Sequence, residues 1–195
     1  MAIVNPPSIL SSAGAIGGDP AWPTLVNMCV MRPAYDRMQQ AYEDFRRDRS
    51  PCKAGVTNQC AVRMSVALER CGFSISGFEP AARVHRNRSA CHLAIPHVLG
   101  ADELQRYLRR VMGRFEEFPG ARVGTAQTSV TGRRGIIYFN NCFRRTAGGP
   151  STGDHIDLWN GTAYYNMLLD VSAGGGVAAS ASLFGRSDMI TFFPL

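Results

Sequence analysis

The chain has 195 residues, 45% of them hydrophobic and 18% charged, with a formal net charge of +6 and a pI near 9.3. That length supports one well-buried core and argues against two full domains, and the apolar content excludes a wholly disordered chain. The basic excess favours anionic partners, but the arginines are scattered over several segments rather than gathered in a stripe, so nucleic acid is not expected.

Residues 1–32 are rich in Pro, Gly and Ser and are expected to be partly irregular. They lack a basic start followed by an unbroken apolar stretch, so no signal peptide is expected. No later apolar run approaches the roughly 20 residues of a membrane helix. Pro33 suits a first helical turn, and Tyr35, Met38, Tyr42 and Phe45 recur at helical spacing, which predicts an amphipathic helix to about Asp48. Thr57 or Asn58 can cap a second helix, which runs through Met64 and Leu68 and is stopped by Gly72. Cys60 then lies in its first turn.

Residues 73–99 mix Pro, Gly and basic residues without steady period and read as a loop-rich surface, with His85, His92 and His97 in surface or substrate-rim roles. A third helix is predicted over 101–112, where Asp102 and Glu103 at the start and Arg109 and Arg110 at the end match the helix dipole. Strands are predicted at 135–139, 155–159, 163–169 and 189–193. Helices first and strands later indicate α+β.

Six cysteines (Cys29, Cys52, Cys60, Cys71, Cys91 and Cys142) are too widely spaced for a zinc ribbon, so neither metal nor cofactor is expected. Their even number permits disulfides, with buried free thiols the equal alternative. A thiol at a helix N-terminus meets unpaired N–H groups and a partial positive charge, which favour thiolate and can hold an oxyanion. Cys60 has that setting, whereas Cys71 sits at the opposite end of the same helix. His155 opens a predicted strand that leads into Asn160-Gly161, a signal for a two-residue type I′ turn. Pairing Trp159 with Thr162 and counting outward sets His155 opposite Asn166, at a Cβ separation of about 5 Å. Asn166 is therefore the favoured orienter of the imidazole. Asp157, on the same strand face but roughly 7 Å along it, is the competitor.

The segments Asn58-Gln59-Cys60-Ala61-Val62-Arg63-Met64-Ser65, Cys71-Gly72-Phe73, Gly132-Arg133-Arg134-Gly135-Ile136-Ile137 and Gly153-Asp154-His155-Ile156-Asp157-Leu158-Trp159-Asn160-Gly161 together resemble the fourth family of type VI secretion amidase effectors. These are bacterial peptidoglycan hydrolases with a papain-related, NlpC/P60-like fold, and the likeness runs from Pro33 to Leu195. It implies N-terminal helices packed on a C-terminal antiparallel sheet and a cysteine amidase that cleaves the D-glutamyl-diaminopimelate bond of peptide stems. It also implies delivery by the type VI machine into the periplasm of a recipient cell, and a cognate immunity protein as inhibitor. The family's nucleophile falls on Cys60, its base on His155, and its acidic third member on Asn166, a departure from the pattern. Two cysteines that often flank that third member are replaced by Tyr164 and Leu168, so their disulfide is absent. A monomer is expected when the protein is free. The rival readings are a catalytically silent basic module that binds wall polymer or nucleic acid, and a thiol transpeptidase.

Overall fold

The computed structural model describes residues 32–45, 50–53, 56, 58–78, 84–85, 97–165 and 183–195. In chain order these form α1 (Tyr35–Phe45), α2 (Cys60–Arg70), β1 (Val84–His85), β2 (His97–Val98), α3 (Ala101–Met112), β3 (Glu116–Pro119), a 3-10 turn (Gly120–Arg122), α4 (Val123–Val130), β4 (Gly135–Arg144), β5 (Ser151–Trp159) and β6 (Met189–Pro194). The four longer strands make one antiparallel sheet in the order β3-β6-β4-β5, with β5 at its edge. The α+β expectation holds: the N-terminal helices pack against a C-terminal antiparallel sheet.

Strand side chains alternate between two apolar clusters. Ile136, Tyr138, Ile156, Leu158 and Phe193 join α1, α2 and α3 on one side, while Ile137, Phe139, Ile190 and Phe192 join Val123, Ala126 and Val130 of α4 and Phe184 on the other. Because both faces are covered, β4 and β6 read as nearly continuous apolar runs. Every residue of α2 from Cys60 to Leu68 is buried, including Arg63 and Ser65. Each fully buried Met, Leu or Val there contributes up to roughly 1.5–3 kcal/mol. Such a helix is a rigid mount for whatever its first turn carries.

Gly135 shows how tightly β4 is seated. It pairs with Trp159 on one side and Pro194 on the other. An added Cβ would overlap the Phe193 carbonyl oxygen and lie 2.8 Å from the Phe192 ring. Gly135→Ala is expected to cost about 2–3 kcal/mol by overpacking. Urea unfolding measures this, and a loss below about 0.5 kcal/mol would contradict the packing described.

The second helix ends before Gly72 and the third spans 101–112, as the sequence predicts, with Gly72 and Gly113 at φ +79° and +67° beyond their ends, while the second starts at Cys60 after Gln59 rather than after Thr57 or Asn58. The first ends at Phe45, and residues 46–49 lie outside the described residues. Beyond the segment read as loop-rich, a strand and a helix were not expected. β3 is short and carries two glutamates, and α4 has Gly124, Thr125, Thr128 and Ser129 where a helix ordinarily shows strong formers. Packing on the sheet holds α4 despite weak propensity. Within the segment read as loop-rich, β1 and β2 pair antiparallel, and Val98 donates its N–H to Ser65 Oγ of α2 at 2.9 Å.

The predicted hairpin register is corrected. Trp159 pairs with Tyr164, not Thr162, so the loop holds four residues. The reason is local. Asn160 Oδ1 accepts hydrogen bonds from the Thr162 and Ala163 N–H groups at 2.9 and 2.8 Å, closing the turn through a side chain rather than a type I′ backbone. The remainder of the predicted strand 163–169, from Asn166 onward, lies outside the described residues.

Candidate active site

Cys60 is the first residue of α2, and Gln59 is its N-cap without a side-chain capping bond. Gln59 is spent elsewhere. Buried at 1% exposure, it accepts the Cys52 N–H at 3.1 Å and donates to the Cys52 carbonyl at 2.9 Å and to the Val56 carbonyl, lacing the preceding loop to the helix start. Of the two predicted caps, Thr57 lies outside the described residues, and Asn58 Oδ1 stands 3.5 Å from the Cys60 nitrogen. Cys60 is 5% exposed, and its Sγ lies 3.9 Å from the Asp154 carbonyl oxygen of β5. The first turn of α2 therefore abuts the sheet's edge strand.

His155 follows directly. Its ring stacks on Phe139 at 6.4 Å between centroids and meets the edge of Tyr164 at 6.0 Å. Its Nε2 lies 3.3 Å from Asp157 Oδ2, and the Cys60 side chain stands close enough to act on the imidazole's proton affinity. With Nε2 turned to the carboxylate, Nδ1 is the nitrogen left for the thiol. Burial, the largest influence, pulls the His155 pKa down, but hydrogen bonds with Asp157 and Cys60 and their charges outweigh it and raise the pKa to about 9. At neutral pH the ring is protonated, so Nε2 donates to Asp157 and Nδ1 also carries a proton. Asp157 is held in turn, its Oδ1 accepting the Leu158 N–H at 2.8 Å.

A bulge beside His155 sets this arrangement. Phe139 pairs with His155 and Phe143 with Gly153, so Asn140, Asn141 and Cys142 of β4 stand against Asp154 alone. Asn141 takes a positive φ of 50° to allow it. Asp154 Oδ1 clasps the bulge, accepting from Asn140 Nδ2 at 3.1 Å and the Asn141 N–H at 3.0 Å, while its own carbonyl faces the thiol. Sequence reasoning missed Asp154 and Asn140. The Gly153-Asp154-His155 triplet is visible, but a bulge leaves no periodic mark.

The structure thus sets the Cys60 thiol against β5 at Asp154, next to His155, from positions far apart in the chain, and sets Asp157 against His155. Asn166, the favoured orienter, lies outside the described residues, and the register from which it was counted is not the one observed. The strand-spacing argument against Asp157 fails because side chains two residues apart lean together here, to 3.3 Å. His97, expected at the surface, is buried at 1% exposure. Cys52, Cys71 and Cys142 are free thiols, and burial raises the pKa of Cys71 and Cys142. Cys29, His92 and Cys91 lie outside the described residues.

Known proteins bear on this geometry. The profile of Tae4, described as type VI secretion system (T6SS) amidase effector protein 4, matches residues 56–193. Among solved structures, Tae4 of the Salmonella typhimurium effector-immunity system Tae4/Tai4 superposes with a TM-score of 0.54 at 18% identity, covering 85% of this chain and 99% of that one. Tae4 from Enterobacter cloacae gives 0.52 at 18% identity, over 85% and 98% of the two chains. No curated protein matches the chain. The structural likeness concerns the fold, and the profile match covers well over half of the sequence, including both Cys60 and His155. On that match, the chain belongs to the type VI secretion system amidase effector protein 4 family.

Proposed function

We propose that this effector hydrolyses the D-glutamyl-diaminopimelate amide of peptidoglycan peptide stems, with Cys60 as nucleophile, His155 as acid and base, and Asp157 as the group that orients His155. The supporting observation is a helix-borne thiol set against the backbone of Asp154, the residue before His155, whose imidazole is 3.3 Å from a buried carboxylate. In the reactive form the Cys60 thiolate attacks the amide carbonyl, forming the C–S bond and an oxyanion at the start of α2. Collapse restores the carbonyl and breaks the C–N bond, and His155 gives its proton to the departing amine. His155, now neutral, takes a proton from water as the water attacks the thioester, which frees the acid and regenerates the thiolate. Asp157 holds the ring in register through both halves. Asn166, at the position of the family's acidic third member, is the alternative orienter.

The reading places the enzyme in the periplasm of a recipient cell, reached through type VI secretion, as a monomer when free. A cognate immunity protein is the expected inhibitor, because Tae4 proteins have been crystallised as Tae4-Tai4 effector-immunity complexes. Mass analysis of purified stem peptides after incubation is the test. Two fragments separated at the D-glutamyl-diaminopimelate bond, with one water added, are expected. Joined peptides would instead indicate acyl transfer, and unchanged peptides a binding module.

A further inference from the structure

We propose that Asn58 supplies the second hydrogen bond to the oxyanion formed at Cys60. This rests on Cys60 being the nucleophile. Acyl transfer needs two donors aimed at the developing negative charge, and the Cys60 N–H at the helix start is only one. Among the described residues four side-chain amides lie around the thiol and its strand, and that of Asn141 gives its Nδ2 to Asp188 Oδ2 at 2.8 Å. Gln59 is buried and both ends of its amide are bound to the preceding loop. Asn140 gives its Nδ2 to Tyr138 Oη at 3.3 Å and to Asp154 Oδ1 at 3.1 Å. Asn58 remains. It is half-buried, and its Oδ1 lies 3.5 Å from the Cys60 nitrogen, at the long limit of a hydrogen bond.

The position of that oxygen is informative. An acceptor weakly held by the Cys60 N–H stands where the substrate's carbonyl oxygen would come to lie. Among the described residues, Asn58 Nδ2 donates to nothing. When substrate takes the Cys60 N–H, rotation about the Asn58 Cβ–Cγ bond withdraws Oδ1 and turns Nδ2 toward the same point. Attack moves the carbonyl π pair onto oxygen, where both N–H groups hold it. Collapse returns that pair to carbon as the C–N bond breaks and His155 protonates the nitrogen.

Asn58→Asp separates donation from capping, because a carboxylate still accepts the Cys60 N–H at the helix start but cannot donate. The experiment compares Asn58→Asp, Asn58→Ala, Cys60→Ala and the natural protein on purified stem peptides, with thermal unfolding and iodoacetamide alkylation of Cys60 alongside. Both Asn58 variants are expected to lose about 10²–10³ in kcat with KM little changed. Asn58→Asp is expected to melt no lower than the natural protein, and the thiol of both variants to remain open to alkylation. Activity of Asn58→Asp within about threefold of normal would assign Asn58 to capping alone. A rise in kcat for Asn58→Ala would make its oxygen a plug, and either result overturns the proposal. Turnover by Cys60→Ala would instead overturn the assignment of the nucleophile, whatever the Asn58 variants do.

Discussion

Cys60→Ala is expected to lower turnover of stem peptides by about 10⁴-fold or more while leaving the protein folded. Without sulfur no thioester forms, and the helix terminus and His155 are left with nothing to activate except bulk water. The structural cost is small. The side chain is nearly enclosed, so removing one sulfur forfeits about 1 kcal/mol of packing, a melting shift of a few degrees in a chain of this size. Peptide turnover and thermal unfolding measured on the same preparation check both halves of the expectation. A variant retaining more than about a tenth of normal activity would remove Cys60 from the mechanism.

The second large effect is that of Asp157→Asn. The imidazole sits in a buried site whose first influence is to expel the proton, and Asp157 is the leading force that keeps it there. An amide supplies no countercharge, so the His155 pKa falls from about 9 toward or below its ordinary 6.5. The alkaline limb of kcat/KM, expected near pH 9 in the natural protein, moves acidward by about one unit or more, and kcat drops by about 10²–10⁴ as the ring loses its fixed orientation. Asn166→Ala is expected to leave that limb near pH 9. The opposite pattern, a shifted limb for Asn166→Ala and a normal one for Asp157→Asn, would give the orienting role to Asn166.

Stability follows the same proton. The folded-state pKa of His155 lies above the unfolded value, so the protonated ring contributes its full stabilisation below pH 6.5, and that contribution is lost as pH rises through about 9. Asp157→Asn removes most of this dependence. Chemical denaturation at pH 6 and pH 9.5 reads it as a difference between two differences.

Much of this architecture is written in local signals. The end of α2 before Gly72 and the span of α3 follow from a helix-stop glycine and charge placement that act within a few residues. The meeting of Cys60 with His155 is not local, and it was legible only through likeness to a family. The hairpin misled because Asn160-Gly161 signals a backbone turn, whereas the Asn160 side chain competes for the same N–H groups and wins. Asp157 was set aside on Cα spacing along a strand, a measure blind to how side chains lean. Asp154 was passed over because its work is to clasp a bulge, and bulges arise from pairing between strands rather than from either strand alone.

β6 is the latest strand in chain order, yet it lies between β3 and β4 and places Ile190 and Phe192 in one cluster and Phe193 in the other. Until that segment emerges during synthesis, β3 has no neighbour and β4 only one among the described strands, and the two cores lack Ile190, Phe192 and Phe193. Cooperative folding must wait for pairings of large sequence separation, which are slow to form. A ribosome-bound chain would therefore carry Cys60 and His155 before the sheet that seats them can close, and the site forms only after translation has passed Phe193.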